Sequence, residues 1–293
     1  MISQVINKRA AAIDISALLE LAPAGSQCQP TISVVIPTLN EADNLPYVLP
    51  RLPNGILEVL LVDGLSTDGT VEVAMSLRPD IRVISEKAAG KGAALRSGFA
   101  AATGDIIVML DADGSTDPGE IPAYVGALLS GADFAKGSRF LQGGGTSDMT
   151  WERQFGNWGL TMFVRLLFGG RFSDFCYGYN AFWRRVLPEL ALDAVGFEVE
   201  AMMNIRAQCA GLRIAEVPSF EADRICGKGH LRTIPDGLRV LRTILKEWAR
   251  NVRNKRLPPL DPRPTHPVWD TGILGLGQRA ARPESAQNAE VEA

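Results

Sequence analysis

The stretch GDIIVMLDADGSTDP, residues 104–118, decides the fold. Ile106, Ile107, Val108, Met109 and Leu110 form a continuous apolar run, the pattern of a strand covered on both faces. The run stops at Asp111-Ala112-Asp113, followed by Gly114, Ser115 and Thr116. A buried strand that carries two carboxylates to its C-terminal end offers a place for a cation, because such charges need a partner there. Hard oxygen ligands suit Mg2+ or Mn2+, and such an ion in turn suits a diphosphate. The plain alternative is an acidic turn, since Asp and Gly are common turn residues.

Upstream, the same arrangement occurs twice. Ile32 to Ile36 reads as a buried strand ended by Pro37, with Asn40 or Asp43 placed to cap a following helix and Glu41 near its start. Val59 to Val62 is a second strand with Asp63 at its end, and Thr67 or Asp68 opens the next helix. IRVISE, residues 81–86, is a short third strand, and the helix after it carries Leu95, Phe99 and Ala102 on one face. Downstream, Pro118 suits the first turn of another helix, and ADFAKGSRF, residues 132–140, is a fifth strand. Strands alternating with helices specify an α/β fold, a mostly parallel sheet with helices on both faces. Ligands of such sheets gather at the C-terminal strand ends. Here those ends carry Pro37 to Glu41, Asp63, Asp111 with Asp113, and Gly137 to Arg139.

The pattern changes after residue 140. LQGGGTSDMTWERQF (141–155) reads as a Gly-rich loop, and FGNWGLTMFVRLLFGG (155–170) as an apolar helix bounded by glycines. FSDFCYGYNAFWRR (172–185) reads as an aromatic strand with a turn, and the helix over 196–212 ends at Gly211. Pro218 places the strand RIAEVPSF (213–220) at an edge or an end. In the segment 235–257, Leu238, Leu241, Leu245, Trp248 and Val252 make one apolar stripe. Arg239, Arg242, Lys246, Arg250 and Arg253 run alongside, followed by Lys255 and Arg256. Such a helix suits an anionic membrane surface, or packs on the domain with a solvated basic flank. Residues 1–30 read as an extension and 258–293 as a compositionally disordered tail.

The totals narrow the classes. A net charge of −3 gives no bulk attraction to nucleic acid. Four cysteines without a CxxC pair and two histidines argue against structural zinc and for reduced, cytosolic thiols. No stretch reaches the roughly 18 to 20 apolar residues that span a bilayer, so membrane contact is expected at the surface.

Six motifs stand in order: VVIPTLNEADNL, LVDGLSTDGT, GKGAALRSGFAAATGD, LDADGSTDP, GSRF and EVPSFEADRICGKGH. Over residues 31–250 the chain resembles the family 2 glycosyltransferases of the GT-A fold, in particular the dolichol-phosphate mannosyltransferase and polyprenyl-phosphate glycosyltransferase group. The resemblance implies a glycosyltransferase domain over 31–234, followed by the basic helix. It implies transfer of one sugar, with inversion, from a GDP- or UDP-sugar to a polyprenyl phosphate, assisted by Mg2+ or Mn2+, peripherally on the cytoplasmic face of the membrane. Pro37, Leu39, Glu41, Val62 and Asp63 match positions that hold base and ribose. Asp111, Ala112 and Asp113 match the acidic motif that binds nucleotide and metal, and Arg139 and Arg224 match basic positions facing donor diphosphate and acceptor phosphate.

Three departures matter. Gly64 follows Asp63 where a second acid is usual, and Ser115 stands where many relatives have Gln, although its hydroxyl can still ligate a cation. In the late basic motif His230 takes the usual lysine slot and Lys228 sits two residues earlier. Lys228 is the preferred phosphate contact because it is charged at any cellular pH. A phosphate acceptor needs no strong general base, whereas a hydroxyl acceptor does. For that role Glu200 is the first candidate, with Asp174 and Glu198 behind it. A soluble or cell-wall hydroxyl acceptor, or nucleotide-sugar binding without catalysis, remain the alternatives.

Overall fold

The computed structural model describes residues 15–20, 29–170, 172–227, 229 and 232–253. Its centre is a seven-stranded sheet built from β1 (Ile32–Thr38), β2 (Glu58–Asp63), β3 (Arg82–Ser85), β4 (Ile106–Met109), β5 (Phe134–Ser138), β7 (Asn180–Trp183) and β8 (Ile214–Pro218). The order is β3-β2-β1-β4-β7-β5-β8. Every pairing is parallel except those of β7, which runs antiparallel between β4 and β5. A two-stranded ribbon, β6 (Gly145–Thr146) with β9 (Phe220–Glu221), lies apart from it.

Alternation along the strands feeds two cores. Val34, Ile36, Leu61 and Val108 face one layer, with Leu45 and Val48 of α2 (Leu45–Val48) and Ile121, Tyr124 and Leu128 of α5 (Ile121–Leu129). Ile15 and Leu19, flanking and ending α1 (Ser16–Leu19), are buried in that same layer. Val35, Leu60, Ile107 and Met109 face the other layer. It is filled by Leu95 and Phe99 of α4 (Lys91–Ala101), Val164 and Phe168 of α6 (Trp151–Phe168), and Met203 of α8 (Glu198–Cys209). The remaining helices are α3 (Thr70–Leu77), α7 (Leu187–Leu190) and α9 (Thr233–Arg253).

Several boundaries differ from the sequence reading, each for a local reason. Pro37 lies inside β1 rather than ending it. Leu110 donates its N–H to the Val35 carbonyl, so Val35 and Pro37 both turn their backbone polar groups toward β4. The last β4 partner of β1 is Met109 opposite Val35, so the missing Pro37 N–H falls where β4 has already ended. The expected helix caps serve elsewhere. Asn40 Oδ1 accepts from the Thr67 N–H at 2.9 Å, and Asp68 accepts from the Ala42 N–H at 3.0 Å, which ties the loops after β1 and β2 together. Helix α2 consequently starts at Leu45, and α3 at Thr70 behind Gly69 at φ 86°. Helix α6 begins at Trp151, inside the stretch read as a Gly-rich loop, with the Thr150 side chain accepting from the Arg153 N–H.

Helix α9 packs on α8 and α6 through Val240, Thr243, Ile244, Glu247 and Asn251. Its expected apolar stripe is a different face: Leu238, Leu245, Trp248 and Val252 are exposed and Leu241 is half-buried. Residues 254–257 of the expected helix, the tail from 258 and most of 1–30 lie outside the described residues.

Candidate active site

The loop after β4 is covered by the loop after β9. The Ala222 N–H donates to the Ser115 carbonyl at 2.8 Å, and the Ile225 N–H to the Asp113 carbonyl at 3.2 Å. Gly114 makes this approach possible: it sits at φ 78°, and a Cβ there would stand 2.4 Å from Ile225 Cδ1. Residues 111 positions apart in sequence, Asp113 and Arg224, are thereby brought together. The Arg224 guanidinium lies 2.6 Å from Glu41 Oε2 and 3.3 Å from Asp113 Oδ2, and its Nε donates to the Cys226 carbonyl at 2.7 Å. Desolvation works against the charge, but Glu41 and Asp113 outweigh it and hold Arg224 above its ordinary range. Asn44 fixes both sides of this contact, donating to Glu41 at 2.6 Å and accepting from the Cys226 N–H at 2.8 Å.

The other carboxylate of the motif has its own cation. Lys91, at the start of α4, places Nζ 2.6 Å from Asp111 Oδ1 and 2.7 Å from Glu200 Oε1. Its burial opposes the charge, yet the two flanking carboxylates overcome that and keep the ammonium protonated far into the alkaline range. Burial pushes the Glu200 carboxyl up while Lys91 pulls it back. Gly90 and Gly92 let α4 start this close to the chain before α8, since a Cβ on either would stand 2.4 or 2.6 Å from the carbonyl oxygens of Val195 and Ala194.

Asp113 Oδ1 accepts from the Ser115 N–H at 3.0 Å and from the Ser115 hydroxyl at 2.7 Å. This donor set suits a hard cation, and the Arg224 guanidinium faces it. Among the described residues no three His, Cys, Asp or Glu side chains form a ready-made metal cage. A divalent ion on Asp113 would therefore complete its shell with diphosphate oxygens, the usual habit of Mg2+ in nucleotide sites.

At the neighbouring strand ends, Asp63 accepts from the Ser66 N–H through Oδ2 at 3.0 Å, while its Oδ1 is buried without a partner. A buried carboxylate oxygen left unpaired is costly unless a ligand hydroxyl or N–H meets it. Leu39 and Leu65 stand exposed beside it, Leu65 at φ 66°, and Pro37 and Val62 pair across β1 and β2. Ala112 is buried between the two motif acids.

Arg139 is differently placed from a free diphosphate clamp. Asp174 grips it with two bonds, Nε to Oδ2 at 2.6 Å and Nη2 to Oδ1 at 2.9 Å, and Glu221 takes Nη1 at 2.9 Å. The guanidinium also lies 4.8 Å from the Tyr177 ring centroid. Burial raises the Asp174 carboxyl, but Arg139 overcomes this and holds it below the usual range. Asn157 of α6 donates to Asp174 at 3.0 Å, which links that helix to the strand-end region. Two of the candidate bases are engaged in ion pairs, Asp174 with Arg139 and Glu200 with Lys91. Glu198 instead accepts through Oε1 from the N–H groups of Val195 and Gly196 at 3.3 and 3.1 Å, and keeps Oε2 buried without a hydrogen-bond partner among the described residues. Lys228 and His230 lie outside the described residues. The sequence reading passed over Lys91, Asn44 and Asn157. The glycines flanking Lys91 were the available signal, because they mark a close approach without saying what is approached.

Residues 33–190 match the model of the family described as Glycosyl transferase family 2. The chain is 35% identical over 207 residues to polyprenol monophosphomannose synthase of Mycolicibacterium smegmatis, covering 66% of this chain and 78% of that protein. It is 32% identical over 214 residues to undecaprenyl-phosphate mannosyltransferase of Micrococcus luteus, covering 68% and 87%. Among solved structures, glucosyl-3-phosphoglycerate synthase of Mycobacterium tuberculosis, in complex with Mn2+, uridine diphosphate and glucosyl-3-phosphoglycerate, superposes with a TM-score of 0.61. The two are 26% identical, and the match covers 78% of this chain and 83% of that one.

Proposed function

The chain belongs to glycosyl transferase family 2 and carries its GT-A fold, and from that premise we propose that it moves one sugar from a nucleotide-diphosphate sugar to a polyprenyl phosphate at a membrane surface. The observation that carries this reading is the closure of the Arg224 loop on Asp113 and Glu41, with an unpartnered Asp63 oxygen at the end of β2 on the same sheet edge. One cationic side chain there borders both the place for a diphosphate and the place for an acceptor. The names of the two polyprenyl-phosphate relatives support the acceptor class.

In this reading Asp63 and Glu41 meet hydroxyl and N–H groups of ribose and base, between Pro37, Leu39 and Val62. Asp113, with Asp111 and Ser115 beside it, would hold Mg2+ or Mn2+, which supplies positive charge against the departing diphosphate. Arg224 gives up Glu41 or Asp113 to take an acceptor phosphate oxygen, and Lys228, four residues on in sequence, would add a second positive charge. The phosphate oxygen attacks the anomeric carbon as the bond to the diphosphate breaks on the opposite face, which inverts the configuration. No proton has to be removed, because the acceptor is already an anion. That accords with the engagement of Asp174 and Glu200 in ion pairs, which leaves Glu198, through its unpartnered Oε2, as the base a hydroxyl acceptor would have to use.

The test is a donor screen by mass spectrometry, with GDP- and UDP-sugars, Mg2+ or Mn2+, and either a polyprenyl phosphate or 3-phosphoglycerate. A glycosylated lipid phosphate from one donor is expected, and product on 3-phosphoglycerate alone would replace this reading with a soluble acceptor. Within the late loop, Lys228→Ala is expected to slow transfer more than His230→Ala, since an ordinary histidine is mostly neutral above pH 7. The reverse order, with a pH dependence near the histidine titration, would give the phosphate contact to His230.

A further inference from the structure

Helix α6 exposes a row of large apolar side chains that no other described residue covers. Trp151, Phe155, Trp158 and Leu166 are 74, 66, 57 and 80% exposed. At 100° per residue these four positions, with Met162, fall within a single arc of about 80°. The buried positions Asn157, Thr161, Val164 and Phe168 lie on the other side of the helix and hold it to the domain. The rings of Phe155 and Trp158 stack with centroids 5.8 Å apart, so these two form one aromatic surface within the row. Gly156 and Gly159 carry open space where a Cβ would stand.

Helix α9 packs against α6 and supplies the charge. Glu247, the one acid between 237 and 253, is buried and paired with Arg206 at 2.7 Å. The exposed side of α9 therefore presents Arg239, Arg242, Lys246, Arg250 and Arg253 with no acid of its own helix facing out, beside Leu238, Leu245, Trp248 and Val252. Arg239 pairs with Asp236 at 3.2 Å, Lys246 with Asp193 at 3.5 Å and Arg250 with Glu247 at 4.0 Å, and all three stay partly exposed. A packed protein neighbour would have to meet Arg242, Arg253, these cations and several aromatic rings together. An anionic lipid surface does so without specific shape, because rings settle at the headgroup level and basic side chains meet lipid phosphates.

We propose that α6 is the element that inserts into an anionic membrane, through Trp151, Phe155, Trp158 and Leu166, with α9 as its electrostatic partner. The inference rests on the polyprenyl-phosphate reading for its purpose and not for its physics. Asn157, on the buried side of α6, bonds Asp174, which holds Arg139 at the strand ends. Seating α6 in the interface thus fixes the strand ends relative to the bilayer in which the acceptor chain resides.

The experiment uses the full chain, vesicles of phosphatidylcholine with and without phosphatidylglycerol, and a triple variant Trp151→Ser, Phe155→Ser, Trp158→Ser. Intact protein is expected to bind the anionic vesicles, and brominated acyl chains are expected to quench its tryptophan fluorescence, a readout that needs no variant. The triple variant is expected to partition about tenfold or more weakly even at low salt. A second variant, Arg242→Glu with Lys246→Glu and Arg253→Glu, is expected to lose chiefly the salt-sensitive part. Turnover of a short, water-soluble isoprenyl phosphate should be equal in intact and triple-variant protein, while turnover of vesicle-borne acceptor falls in the variant. Unaltered vesicle binding by the triple variant, or absence of quenching, overturns the proposal. So does a dimer in solution that the triple variant abolishes while neither protein binds vesicles, since the row then joins two copies. Failure of the transferase reading looks different: no short-chain acceptor is used by either protein, while vesicle binding and quenching persist.

Discussion

At the scale of single residues the proposed chemistry rests on Asp113 and Arg224. Asp113 is a partly exposed carboxylate whose partners are one serine and one arginine, so its removal leaves no buried charge stranded. Asp113→Asn is expected to lower transfer by about 100-fold or more, in the range seen when one preorganised electrostatic contact is removed, with the unfolding midpoint in urea unchanged. Normal turnover by this variant without added divalent metal would mean that the site is elsewhere. Lys91 is the opposite case. It lies between Asp111 and Glu200, and Lys91→Met leaves two acids near each other with no cation, at a cost of about 3 to 5 kcal/mol. The pH dependence has a definite sign. Burial raises the Glu200 carboxyl above its ordinary 4.5. Without Lys91 that raise loses its main opponent, Lys136 being the lesser one, so the variant is expected to be most stable below pH 4.5 and to lose stability as pH rises through and beyond it. Urea unfolding at several pH values, with Lys91→Met/Glu200→Gln as the rescuing pair, measures this, and a flat profile would contradict it. The residues of the acidic motif were readable because a strand end announces them. Lys91 was not, since its partners lie 20 and 109 positions away and no local pattern couples them.

Elements are held to the site by buried polar clamps, and the clearest joins α6 to the end of β5. Asp174 accepts from Arg139 and Asn157 and is fully buried. Asp174→Asn leaves Arg139 with Glu221 alone and is expected to cost about 3 kcal/mol or more at neutral pH. Because the folded carboxyl is held below its ordinary 3.8, its contribution is complete above pH 3.8 and lost as pH falls below it. The stability difference between native protein and variant should therefore shrink in acid, and a difference constant down to pH 2 would show that the ion pair is not its source. At this scale the alternation of strands and helices was legible in the apolar runs, and so were the edge position of β8 and the exit of α8 at Gly211. Helix starts were not, because Asn40, Thr67 and Asp68 have capping chemistry that the fold spends between loops. The 238–252 stripe was legible as a pattern, but the face that packs is the neighbouring one, with Val240 and Ile244. Periodicity says that two faces differ and not which of them the domain covers.

The molecule as a whole gathers the charged residues of the proposed site at the strand ends, with α6 and α9 packed together on the side of the sheet's second layer. Family and fold were legible because several motifs recur in a fixed order, each at a strand end or a helix start. The antiparallel insertion of β7 between β4 and β5 was not, since sheet order depends on crossovers that no short stretch encodes. The central claim is that the acceptor is a lipid phosphate, attacked without a general base. Its most direct measurement offers the protein one nucleotide sugar with a polyprenyl phosphate and, in parallel, with the same polyprenol lacking phosphate, and follows product mass. The account predicts addition of a single sugar to the phosphate and none to the alcohol. Equal glycosylation of the alcohol, or sugar found on the alcohol alone, would contradict it.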